Sequence, residues 1–375
     1  MGHTDLPHSM PPDARDKLTA TRHLADEELA PIASRGEAGR VNRPLIRALG
    51  ELGVLSEIFP PEGSVSAVTL CLLREGLAGG STDAETALAL QGLGSYPILV
   101  SGSRELQGRW IPRVRRGEAV AAFALTEPEG GSDAGALSLV ADKVDGGYRL
   151  SGTKTWISNA PDADVYSIFA RTSPKGVGGI TAFVLPGDSK GVSGEPLDLL
   201  GPHPIGRLEL DGVFVPDDHV LGEVDRGFSV AMRTLDLFRP SVGAFAVGMA
   251  QLALDMAIDH AGQRRSFGKP LRDFQAVSHK LSDAAARTKA ARLLVYDAAA
   301  RYDAGERVTK AAAIAKLYAT ETAQWVIDAA LQIHGAAGLE RGHILEHLYR
   351  DVRATRIYEG TSEIQREIIA RELYR

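Results

Sequence analysis

The sequence predicts an α+β chain, mainly α, in three parts. These are an N-terminal helical domain over 1–118, a central antiparallel β domain over 119–225 and a C-terminal four-helix bundle over 226–375. Three observations predict it. Up to about residue 118 apolar residues recur three and four apart, the spacing of one helix face. From 119 to about 222 they recur at alternate positions, in short runs rich in Val, Ile, Thr and aromatics. From 226 onward the helical spacing returns over much longer runs.

The elements follow in order. "DARDKLTATRHLADEELAPIA" and "VNRPLIRALGELGVL" carry the helical spacing, and "FPPEG" breaks it. "VSAVTLCLLREGLAGG" and "ELQGRWIPRVRRG" read as helices ended by glycine, which accepts the left-handed turn common at a helix C-terminus. In the middle, "AVAAFALTEP", "GYRLSGTKTWISNA", "DVYSIFART", "ITAFVLPG" and "RLELDGVFVP" read as strands bounded by Gly, Pro, Asp and Asn. Such short runs suit an antiparallel sheet or small barrel. The bundle is expected from "GFSVAMRTLDLFRPSVGAFAVGMAQLALDMAIDHAGQRR", "RDFQAVSHKLSDAAARTKAARLLVYDAAARYDAG", "TKAAAIAKLYATETAQWVIDAALQIHG" and "HLYRDVRATRIYEGTSEIQREIIAREL". Their alanine-rich faces suit close helix packing. The longest apolar stretch, "VGAFAVGMAQLALDMAI", is interrupted by Gln251 and Asp255, so it reads as a buried helix and not a membrane span.

Composition narrows the function classes. The chain has 375 residues, 44% hydrophobic and 24% charged, with a net charge of −6. That balance favours neither nucleic acid nor an anionic membrane as partner. A single cysteine, Cys71, rules out an internal disulfide and any metal site built on several thiolates, and it fits a reducing cytoplasm. Its apolar helical surroundings read as core. The start, "MGHTDLPHSMPPDARDK", has no apolar segment of the signal-peptide kind. Met1-Gly2 would open a myristoylation motif, but Leu6 stands where Ser or Thr is needed. A cytoplasmic protein is expected, with no metal.

Five stretches carry candidate chemistry. "AFALTEPEGGSDAGAL" (122–137) ends a strand in small hydrogen-bonding groups, and its glycines let backbone approach a ligand; it is also compatible with a plain β-turn. "GTKTWISNAPDAD" (152–164) places Trp156 and Ser158 on one strand face, a flat wall and a hydroxyl, or else a core indole. "RRSFGKPLRDFQ" (264–275) mixes cations, an aromatic ring and an amide, which suits a phosphate or a solvated helix end. "QIHGAAGLERG" (332–342) breaks a long helix, and His334 there reads as structural. "RIYEGTSEIQRE" (356–367) sets Glu359 beside Gly360, with Thr361 or Ser362 positioned to cap a final helix and Glu363 in its first turn. No Walker A or strand-anchored GxGxxG sequence occurs.

Taken together and in this order, these stretches resemble the acyl-CoA dehydrogenase family of flavoproteins over nearly the whole chain, about 15–375. "FALTEPEGGSD" looks like the family's first signature and "QIHGAAGL…RDVRATRIYEGTSEIQR" like its second; "GTKTWISN" and "RRSFGKPLRDFQ" match the segments between. The resemblance implies FAD-dependent α,β-dehydrogenation of an acyl thioester, acyl-CoA to trans-2-enoyl-CoA. It implies that Glu359 abstracts the α proton and that hydride passes from the β carbon to flavin N5. It implies FAD contacts at Phe123, Leu125, Thr126, Ser132, Trp156 and Ser158. Arg264, Phe267, Gln275, Gln332 and Gly335 would reach the FAD of a neighbouring subunit in a homotetramer or homodimer. Thr361 and Glu363 would close over the cofactor. Ser132, Tyr96, Asp236, Arg239 and Gly360 match substrate-contacting positions, although Asp236 and Arg239 also fit an ordinary charged pair at helical spacing. An electron-transfer flavoprotein is the implied acceptor.

Some branches of the family keep their base just before the arginine of "LDLFRP"; here Phe238 stands there, which leaves Glu359 alone. "FPPEGSVSAVTL" looks shortened relative to the family's glycine-rich loop, and Ala336 replaces a common glycine. "LQGLGSYPILV" (90–100) matches the segment lining the acyl pocket, where Tyr96 would shorten or polarise it. A dehydrogenase or compact oxidase acting on an acyl group tethered to a carrier protein is the alternative, with "RWIPRVRRGE" as a candidate docking face.

Overall fold

A computed structural model describes residues 6–7, 10–60 and 64–375. The Met1-Gly2 start and residues 61–63 of the expected break lie outside the described residues. The chain opens with α1 (Ala14–Leu24), continued by a π-helical turn and α2 (Ala30–Ala33). Then come α3 (Arg43–Glu51), α4 (Val54–Ile58), α5 (Ala67–Ala78), α6 (Thr82–Ser101) and α7 (Arg104–Arg115). The strands are β1 (Ala121–Ala124), β2 (Val140–Val144), β3 (Gly147–Ser158), β4 (Val165–Arg171), β5 (Ile180–Pro186), β6 (Val192–Pro196), β7 (Ile205–Pro216) and β8 (Val220–Leu221). The long α8 (Gly227–Gln263) and a small hairpin of β9 (Arg265–Ser266) and β10 (Lys269–Pro270) follow. Last come α9 (Gln275–Asp303), α10 (Thr309–His334), α11 (Ile344–Thr355) and α12 (Ser362–Leu373). The expected order of helices, strands and helices is therefore the observed one.

The chain divides into two compact units. One comprises residues up to Ala30, Ser66–Glu85 and Asp236–Arg375; the other comprises Pro31–Val65 and Thr86–Leu235.

In the first unit α5 is the centre, buried at every position but Thr69. Its N-terminal amides are held from outside the helix: Asp303 accepts from Ala67 N at 2.6 Å, from Val68 N at 3.1 Å and from Ser66 Oγ at 2.7 Å. That satisfies donors which a helix start otherwise leaves bare. Glu75, buried on the same helix, accepts from Arg292 Nε at 2.8 Å and Tyr296 OH at 2.9 Å, both on α9. Small residues let the helices approach. A Cβ on Gly248 would lie 2.5 Å from the Glu75 carbonyl oxygen, and one on Gly243 would lie 2.7 Å from Val295 Cγ2. Cys71 is fully buried here, and burial pushes its thiol well above the ordinary range.

The second unit is built on an eight-stranded sheet in the order β6-β7-β3-β2-β4-β5-β8, with β1 joined to β4. The expected antiparallel pairing holds for most of it; β1–β4 and β2–β4 pair in parallel. Tyr166, Phe169 and Phe183 fill its core. The Gln91 side chain, on α6, brackets the start of β1, donating to Ala119 O at 2.7 Å and accepting from Ala121 N at 2.8 Å.

Three differences from the sequence reading have physical causes. The segment 90–100, read only as pocket lining, belongs to a 20-residue helix, Thr82–Ser101. It is apolar on every side and contains Pro97, so no single-face periodicity marks it. The fourth bundle run is two helices, α11 and α12, separated by the turn that holds Glu359. β2, β6 and β8 were not singled out, because they are short and β6 is largely exposed. Helix α8 is long and apolar enough to cross a membrane, but its most apolar stretch is largely buried in the protein.

Candidate active site

The turn between α11 and α12 puts two consecutive residues in the left-handed region, Glu359 at φ +53° and Gly360 at φ +94°. Glycine adopts this freely; glutamate does so at a cost, so the surroundings must hold it. They do. The Glu359 carbonyl accepts from Arg239 Nε at 3.2 Å and Gln365 Nε2 at 3.2 Å. The Gly360 carbonyl accepts from Gln365 Nε2 at 2.9 Å and Lys316 Nζ at 2.8 Å. Thr361 then caps α12, its Oγ1 accepting from Ile364 N at 3.3 Å. Ser362 Oγ donates to Glu321 on α10 at 2.6 Å, and Arg356 pairs with Glu321 at 2.9 Å.

The Glu359 carboxyl differs from its backbone. Its Oε2 is shielded from solvent and has no hydrogen-bond partner among the described residues. Burial raises its pKa; Arg74, Lys316 and Arg239 pull the other way, and burial prevails. A carboxylate so placed is a stronger base than one in water.

The charges around it are themselves fixed. Arg74, buried on α5, is bound through Nε to Glu85 and through Nη1 to Ser241 Oγ at 2.7 Å. Arg239 lies 3.9 Å from Asp236, one turn earlier on α8, and burial raises the Asp236 pKa against the pull of Arg239. Phe238, between them, is buried, so α8 offers no second acid there. Sequence reasoning missed Arg74, Glu85, Ser241 and Lys316. The signal was present: "LLREG" and "AIAKLY" each set charge inside an otherwise apolar helical run.

In the second unit another group of the residues singled out in the sequence gathers at one end of the sheet. Phe123 lies on β1, its ring 4.9 Å from that of Phe169. Thr126 follows, and its carbonyl accepts from Thr155 N at 3.0 Å, so the 125–127 segment lies beside the end of β3. There Trp156 adopts φ +57° and is 53% exposed, and Ser158 Oγ is hydrogen-bonded to His203 Nε2 at 2.8 Å. Lys154, buried beneath, donates to Leu125 O at 3.0 Å and Glu127 Oε1 at 2.8 Å. Burial pushes its ammonium group down to about 8, against the pull of Glu127. Ser132 is exposed on the loop beyond, and Leu125 is buried. An exposed flat indole beside hydroxyls and a glycine loop is a donor set suited to a flavin ring and its polar edge.

The remaining positions form other groups. Arg264, Phe267 and Gln275 are exposed at and after the β9–β10 hairpin, Phe267 at φ +48° and 96% exposed. Gln332 and Gly335 are exposed at the end of α10. Among the described residues no hydrogen bond or ion pair joins either set to the Glu359 turn. Beside them the rings of His260 and His334 stack at 4.2 Å, and His334 Nδ1 donates to Ala330 O at 2.8 Å. Glu363 is exposed, 3.7 Å from Arg366. Tyr96 is buried on α6, in the second unit.

Comparison with known proteins gives three matching family models: the N-terminal domain of acyl-CoA dehydrogenase over 11–118, its middle domain over 122–213 and its C-terminal domain over 225–374. A cyclohexane-1-carbonyl-CoA dehydrogenase of Geobacter metallireducens is 37% identical over 360 residues, covering 94% of this chain and 95% of that one. The butyryl-CoA dehydrogenase structure from Megasphaera elsdenii superposes with a TM-score of 0.92 at 34% identity, covering 99% of this chain and 100% of that one. The structure of PigA with FAD and proline superposes with a TM-score of 0.91 at 27% identity, covering 98% and 99%.

Proposed function

The chain belongs to the acyl-CoA dehydrogenase family of oxidoreductases, and on that premise we propose that it converts an acyl-CoA to its trans-2-enoyl-CoA with Glu359 as the base. The observation that carries this reading is the Glu359 carboxyl: an acid with a raised pKa and an unpartnered oxygen, on a turn gripped through its carbonyls. Removing a proton α to a thioester calls for a base stronger than an ordinary carboxylate, and burial shifts the Glu359 carboxyl in that direction. Glu359 would take the α proton, and its own backbone N–H would donate to the thioester oxygen on which charge develops. Gly360 takes the left-handed course that the turn beside the base requires, and Arg239, paired with Asp236, orders that turn from α8.

Phe123, Leu125, Thr126, Ser132, Trp156 and Ser158 would hold FAD, with Thr361 and Glu363 closing over it. When bound, FAD supplies the acceptor for the hydride that leaves the β carbon. Arg264, Phe267, Gln275, Gln332 and Gly335 would contact the cofactor of a neighbouring copy, in a homotetramer or homodimer. An electron-transfer flavoprotein would reoxidise it. Support for a CoA thioester comes from the two relatives named for CoA substrates, one short and straight, one cyclic.

The test is an anaerobic spectral titration of the FAD-loaded protein with short, branched, cyclic and long acyl-CoAs, beside Glu359→Gln. We expect one class to bleach the flavin and the variant to lose that bleaching by at least about a thousandfold. A flavin that no acyl-CoA bleaches would overturn the free-CoA reading in favour of an acyl group on a carrier protein.

A further inference from the structure

The backbone of the Glu359 turn is gripped by three side chains, and they are not equivalent. Gln365 is neutral and lies on α12, which the turn itself leads into. Arg239 binds the Glu359 carbonyl and shares its charge with Asp236. Lys316 comes from α10, is fully buried, and ends on the Gly360 carbonyl at 2.8 Å. Among the described residues it forms no ion pair with a carboxylate; its hydrogen bond goes to the Gly360 carbonyl. Of the opposite charges acting on it the strongest is the Glu359 carboxyl, ahead of Glu321, which is already bound to Arg356 and Ser362, and of exposed Glu363.

A buried ammonium group without a carboxylate of its own is costly. Packing alone would be served by methionine or leucine. We propose that Lys316 is a positioning residue for the reaction: it holds the turn through the Gly360 carbonyl and supplies a cation that keeps the Glu359 carboxyl ionised in its shielded site. The inference rests on Glu359 being the base.

The two tasks have separable consequences. A carbonyl grip on a strained turn fixes where the carboxyl sits, and misplacement by about 1 Å costs on the order of a hundredfold in rate. A nearby cation lowers a carboxyl pKa by about one to three units. The groups acting on Glu359 are Arg74 from α5, Arg239 from α8 and Lys316 from α10. Those acting on Lys316 are Glu359, Arg239, Glu321 and Glu363. Arg74 and Arg239 remain protonated throughout the working range, whereas burial brings the Lys316 ammonium down to about 8. Lys316 is thus the one of the three cations that discharges in mildly basic solution.

The experiment uses the FAD-loaded protein and Lys316→Met, Lys316→Gln and Lys316→Arg. Without substrate, difference infrared titration follows the carboxyl band that Glu359→Gln removes. We expect its midpoint to rise by about one unit or more in Lys316→Met and Lys316→Gln, and to stay in place in Lys316→Arg. With the best acyl-CoA, the acid limb of the bleaching rate should move up by the same amount. The plateau rate should fall at least about tenfold in Lys316→Met and be partly restored in Lys316→Arg. Should Lys316→Met fail to fold, the glutamine and arginine variants carry the comparison. An unchanged midpoint on removal of the charge overturns the proposal. If no acyl-CoA bleaches the wild type, the functional reading falls, and the substrate-free midpoint still decides the role of Lys316.

Discussion

Gly360 follows a glutamate already in the left-handed region, and its own φ of +94° is one that other residues rarely adopt. A Cβ there would come within 2.6 Å of Gln365 Nε2, the group that binds both carbonyls of the turn. Gly360→Ala should therefore cost about 1–2 kcal/mol in unfolding free energy and displace the base, slowing flavin bleaching by more than about tenfold. Thermal unfolding and rapid-mixing spectroscopy of the variant would read the two effects separately. The raised pKa of Glu359 also has a fixed sign. The base must be ionised to act, so kcat/KM should fall as pH drops through a midpoint above the ordinary carboxylate value of about 4.3. A pH profile with its acid limb at or below that value would show that burial does not control this group. The acid, the glycine and the capping threonine were legible because they are neighbours in sequence. Arg74, Glu85, Ser241 and Lys316 were not, because they reach the site from α5, α6, α8 and α10, and no local pattern links them.

Helix α5 shows how an element can be legible while its role is not. Its apolar spacing and terminal glycine predict it well, and the structure buries it almost completely. What the spacing hides is that its two buried charges point to different partners: Arg74 to Glu85 and Ser241, Glu75 to Arg292 and Tyr296. Removing one member of a buried pair leaves the other desolvated and unpaired. Glu75→Ala should therefore destabilise the protein by about 3–5 kcal/mol, visible as a lower midpoint in denaturant unfolding, without moving the pH profile of the surviving activity. Helix α6 is the opposite case. Largely apolar all round and carrying Pro97, it offers no stripe to read.

For the molecule as a whole, the change of period from helical to alternating and back was the most legible feature, because each layer repeats its pattern over many residues. The sheet order and the division into two units were not, since both depend on contacts between segments far apart in the chain. The exposed hairpin tip leads to a prediction at this scale. If Phe267 and its neighbours help hold the cofactor of another copy, FAD retention should fall on dilution as copies separate, and Phe267→Ala should lose FAD at higher protein concentration than the wild type. Ultracentrifugation with detection of flavin absorbance would follow assembly and cofactor together; retention independent of concentration would count against a shared cofactor. The burial of Cys71 has a practical consequence for such work. The chain's one thiol is inaccessible and held protonated, so the natural protein is already a blank background for thiol chemistry. A cysteine installed at an exposed site such as Leu373 would be the sole point of attachment for a fluorophore or spin label, and one label in each unit would turn their separation into a spectroscopic ruler without any prior stripping of native residues.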